Sequence, residues 1–119
     1  MTMDLIEYKN TSTHIPSSAE IAITKAGVIR FNALAVRELD LKPGDKVAFY
    51  QDRKQPVDWY FKAGKEGAPL RETNSGSLIC NFSLPARNML KQFSKDKLKV
   101  RVATTPVDGG YYAILTRGI

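Results

Sequence analysis

Lys97, Lys99 and Arg101 alternate with Leu98, Val100 and Val102, and in a strand that alternation projects the three cations from one face, about 7 Å apart. With Arg87, Lys91 and Lys95 they set six cations against Asp96 alone. The spacing approaches that of successive phosphates along a nucleic-acid strand. The chemistry open to such a stripe is neutralisation of a polyanion by counterion release, with affinity that falls steeply as salt rises. Its other use is to keep an exposed sheet face soluble and to block edge pairing. Local excess favours the first: residues 66–119 hold eight Lys and Arg against four Asp and Glu, residues 21–65 nine against five, and residues 1–20 one against three. Over 119 residues the net charge is +6.

Other chemistry is scarce. Tyr60, Tyr111 and Tyr112 are of the type that stacks on unpaired bases, although tyrosines so spaced also pack with only their rims exposed. Asp58 and Asp108 recur in two Pro-Val-Asp triplets, and paired carboxylates can share a proton. Neither lies in an Asp-Thr/Ser-Gly loop, and Asp108 before Gly109-Gly110 reads as a turn former. Catalysis is not expected, because no phosphate loop, metal cluster or nucleophile with a base can be assembled. Cys80 is the one cysteine and His14, in a polar stretch, the one histidine, so neither an internal disulfide nor a Cys/His metal site is expected, and no cofactor. Asp4 and Glu7 stand where a secretory signal needs cations, and no apolar run reaches membrane-spanning length, which gives the expectation of a cytoplasmic protein.

The elements that must carry these residues come from an internal repeat. Ile21 to Ile29 lies over Leu70 to Leu78 at a spacing of 49; Leu39, Asp45, Lys46 and Val47 lie over Leu90, Asp96, Lys97 and Leu98 at 51; Pro56-Val57-Asp58 recurs as Pro106-Val107-Asp108. Each copy reads as hairpin, short helix, hairpin. Gly27 and Gly76 supply the hairpin turns, Asn32 caps a helix over about residues 33–40, and Ser83 caps its counterpart, with Pro85 in the first turn. Period-two alternation in 46–51, 57–62 and 97–103 marks half-buried strands, with Trp59 and Phe61 inward. The organisation expected is an N-terminal extension over 1–20, a first repeat over 21–63, a joint over 64–68 and a second repeat over 69–119. Composition at 43% hydrophobic and 25% charged is enough for one core.

The run from Gly27 through Asn32, the helix to Leu39, and Leu41-Lys42-Pro43-Gly44-Asp45-Lys46-Val47-Ala48-Phe49-Tyr50 resembles the core of the AbrB/MazE/SpoVT swapped-hairpin DNA-binding family. It covers about a quarter of the chain. The second copy matches less closely, with Lys95-Asp96 for the Gly-Asp turn, and Asn32 stands where the family opens its helix with proline. The resemblance implies two units interleaved into one antiparallel barrel, here a pseudo-twofold β-rich α+β domain of two ββαββ repeats closing within one chain or as a homodimer. It also implies DNA contacts near the first hairpin and helix, where Lys25, Arg30 and Arg37 occupy comparable positions. Arg87, Lys91, Lys97, Lys99 and Arg101 form the primary candidate site on charge density, and Lys25, Arg30 and Arg37 the secondary one.

The function expected is non-enzymatic nucleic-acid binding, with DNA favoured and transcription regulation the role. The alternatives are a single-strand binder of the Whirly or PC4 kind, and a protein-interaction or phage-structural scaffold whose basic face meets an acidic protein.

Overall fold

The computed structural model describes residues 18–118. His14 and most of the N-terminal extension lie outside the described residues. Glu20–Thr24 (β1) and Val28–Phe31 (β2) pair because Ile21, Ile23, Ile29 and Phe31 share one face and are fully buried. Gly27 turns the chain at φ +86°, its N–H donating to the Thr24 carbonyl. Asn32 then caps Ala33–Glu38 (α1), its Oδ1 accepting from the Ala35 N–H at 2.8 Å. This helix ends at Leu39, short of the expected boundary, because Asp40 takes a left-handed φ of +52°.

Lys46–Gln51 (β3) and Trp59–Gly64 (β4) pair over six positions, with Phe49 opposite Phe61 and Gln51 opposite Trp59. Trp59 and Phe61 face inward, as their alternation requires. A three-residue connection leads to Ala68–Pro69 (β5), which passes through Leu70 into Arg71–Glu72 (β6). Leu78–Asn81 (β7), Ser83–Gln92 (α2), Lys97–Arg101 (β8), Tyr112–Ile114 (β9) and a 3-10 turn at Thr116–Gly118 complete the described chain.

All strand pairs are antiparallel. They form a five-stranded sheet in the order β6-β7-β2-β1-β8 and a four-stranded sheet in the order β5-β3-β4-β9. The core lies between them, where Phe31 of the first meets Phe61 of the second with ring centroids 5.2 Å apart. α2 adds Pro85, Ala86, Met89 and Leu90 to the buried set.

The expected barrel does not form. Both sheets stay open, and the chain breaks sheet continuity at each corner. At one corner the chain leaves β5, where Pro69 stands opposite Lys46, and passes through Leu70, bonded to Gly44 and Asp45, into β6 of the other sheet. Beyond β8, only the bridge from Val102 to Ile114 joins the sheets before a loop containing Pro106, Gly109 and Gly110. The second closing hairpin is therefore unlike the first, since β8 and β9 belong to different sheets. Ser83 is likewise not a cap: it is the first helical residue, and Phe82 precedes it with no side-chain capping bond.

Candidate nucleic-acid interface

The two faces of the five-stranded sheet have opposite chemistry. Inward are Ile21, Ile23, Ile29, Leu78, Leu98 and Val100, all buried. Outward, residues directly opposite one another in antiparallel pairs share a face, and the register carries a row across all five strands. Arg71 opposes Ile79, Ile79 opposes Arg30, Arg30 opposes Ala22, and Ala22 opposes Lys99. Three exposed cations thus stand in line, each about 10 Å from the next, separated by one small and one half-buried apolar residue. The β8 cations cross that row: Lys97, Lys99 and Arg101 oppose Thr24, Ala22 and Glu20 on β1. Glu20 is the acid of this patch, and its part-buried carboxylate lies 3.9 Å from the exposed Lys99 ammonium, a separation too long for a close ion pair.

β8 ends the sheet, and beside it runs a groove of about 810 Å³. Lys95, Lys97, Lys99 and Arg101 line one side together with Glu20; Tyr60 on β4, Ala113 on β9 and Leu115 line the other. Asp58 and Arg117 also border it but satisfy each other, the guanidinium donating from Nε at 3.1 Å and from Nη2 at 2.9 Å. Asp58 is thereby committed to an ion pair, and the hydrogen bond and charge of Asp58 hold the Arg117 guanidinium above its already high ordinary pKa.

The structure gathers four of the eight predicted cations, Arg30, Lys97, Lys99 and Arg101, on one face. Strand alternation turns Arg30 outward beside the β8 stripe. Arg87 and Lys91 are exposed one turn apart on α2, and Arg37 is exposed in the last turn of α1; both helices are separate elements from that face. Lys25 lies at the β1–β2 turn, with its ammonium 3.5 Å from Asp96. Arg71, not among the cations expected from the sequence, aligns with Ala22 at the repeat spacing of 49, and the register places both in the outward row.

The tyrosines divide. Tyr112 points inward and stacks on Phe61, with centroids 5.5 Å apart and planes at 22°, and is unavailable to a ligand. Tyr60 points outward opposite Tyr50, which the sequence did not single out; Tyr111 meets the Tyr50 ring edge-on at 5.0 Å, and the Lys62 ammonium lies 5.0 Å over the Tyr111 ring. Among the described residues no group of three or more His, Cys, Asp or Glu side chains could hold a metal ion, and no helix is long and apolar enough to cross a membrane. Cys80, on the inward face of β7, is buried, and desolvation pushes its thiol from 9.0 up to about 11, leaving it protonated at neutral pH.

Comparison with family models, curated proteins and solved structures finds no match to this chain. None of these comparisons supports the resemblance to the AbrB/MazE/SpoVT family.

Proposed function

We propose that this protein binds nucleic acid, DNA being the favoured partner and control of transcription the role such binding would serve, through the outward face of the five-stranded sheet and the cations of β8. One observation carries the reading: the in-register row Arg71, Arg30, Lys99 crossing the column Lys97, Lys99, Arg101. The paired sheet fixes the Cα positions of these cations in two directions, so binding has only their side chains left to order. A polyanion laid on this face would release condensed counterions to solution as up to five cations take their place.

Fluorescence anisotropy with labelled DNA, single-stranded and duplex, across a salt series tests it. Changing Lys97, Lys99 and Arg101 together to Gln is expected to weaken binding for every sequence and to flatten the slope of log affinity against log salt by up to about three. An unchanged slope would reduce the stripe to a solubility device. Failure of both DNA forms to bind at low salt would leave an acidic protein as the partner.

A further inference from the structure

We propose, resting on the nucleic-acid reading above, that the partner is single-stranded, with its phosphates along β8 and its unpaired bases stacked on Tyr60 and the adjoining Tyr50 and Tyr111. The groove joins two surfaces that a strand of nucleic acid has and a duplex does not offer together. On one side are cations at two-residue intervals, about 7 Å apart. On the other is Tyr60, which lines the same groove and opens onto the outward face of the four-stranded sheet. Ala113, directly opposite Tyr60 on β9, puts only a methyl group beside that half-buried ring.

Aromatic rings on a sheet surface beside a cationic track bind single strands without regard to sequence, because every base has a π-face. In a duplex those faces are consumed by the helical stack, and these tyrosines would have nothing to receive. Tyr50 is 37% exposed although it has a tyrosine on each side, so the cluster presents ring surface rather than closing on itself. The Lys62 ammonium over Tyr111 places a further cation at the far end of the cluster. The groove also borders Leu115, 47% exposed, an apolar contact of the kind a base or sugar covers.

The test uses the full-length protein with a labelled oligothymidylate of about 15 nucleotides, the same length of duplex, and an abasic strand with the same number of phosphates. At one low salt concentration the oligothymidylate is expected to bind about tenfold or more tighter than either the duplex or the abasic strand. Tyr60→Leu is expected to cost about tenfold on the oligothymidylate and nothing on the abasic strand, since the two changes remove the same contact. Equal binding of intact and abasic strands by the unaltered protein, or preference for the duplex, would overturn the proposal while leaving nucleic-acid binding standing. Binding of none of the three would overturn both. The abasic comparison needs no variant, so it decides the matter even if Tyr60→Leu does not fold.

Discussion

β3 and β4 pair over six positions within one sheet, whereas β8 and β9, the strands that follow the second helix, fall into different sheets and are joined by one bridge. The two halves already differ upstream. The turn glycines Gly27 and Gly76 are 49 residues apart, but the helix-ending bonds, Leu41 N–H to the Val36 carbonyl and Lys95 N–H to the Leu90 carbonyl, are 54 apart. The second half thus spends five more residues between turn and helix end, and the chain enters β8 straight onto β1, pairing over five positions, where the first half makes a Pro43-Gly44 loop and pairs β3 with β5 over two. Of the two closing pairs, one completes the core and the other is left with a free edge that carries the cations.

If that division is right, substitutions on the closed side should change stability and those on the open side should change binding. Trp59→Ala is expected to have the largest effect, a loss of about 3–5 kcal/mol in urea unfolding, because the ring is buried and its N–H donates to Gln92 at 2.8 Å. Gly67→Ala follows, at roughly 3 kcal/mol: Gly67 sits at φ +104°, and a Cβ there would overlap the Val47 carbonyl on β3. Gly44→Ala has the same backbone constraint, φ +92°, but open space around the added methyl, and is expected to cost about 1 kcal/mol. The difference between the two measures how tightly the β4–β5 connection is held. Lys97, Lys99 and Arg101 changed together to Gln should move stability by less than about 0.5 kcal/mol, so that any loss of DNA affinity belongs to the surface.

Cys80 sharpens the comparison from inside. Its thiol ionises at about 11 in the folded chain against 9.0 ordinarily, because burial disfavours the thiolate. The unfolded chain therefore binds fewer protons between those values, and the stability contributed by the neutral thiol, complete below pH 9, is lost as the pH rises towards 11. A plot of unfolding midpoint against pH should fall more steeply for the unaltered protein than for Cys80→Ala in that window. Below it, maleimide labelling of Cys80 should require unfolding.

The hairpins, the Asn32 cap and the inward Trp59 and Phe61 were legible because each is set by local chemistry: a glycine at positive φ, an amide that reaches an N–H, a period of two. The joining of the sheets was not. Whether a strand continues around a corner depends on how the Pro69-Leu70 passage and the loop after Val102 meet partners distant in sequence, and the family resemblance implied a closure that the two open sheets do not make. The site was half legible. Alternation showed the β8 stripe, but the row from Arg71 through Arg30 to Lys99 exists only once β7 pairs with β2 and β8 with β1, and the same charge count took in Arg87 and Lys91, which the structure places on α2.

Amide chemical shifts followed during titration of the full-length protein with the oligothymidylate test the location of the site most directly. The arrangement described predicts perturbations concentrated at Lys97 to Arg101, Arg30, Arg71 and Tyr60, with Arg87 and Lys91 on α2 unmoved. Perturbations clustered on α2 or at the Lys25 turn, with β8 silent, would contradict it.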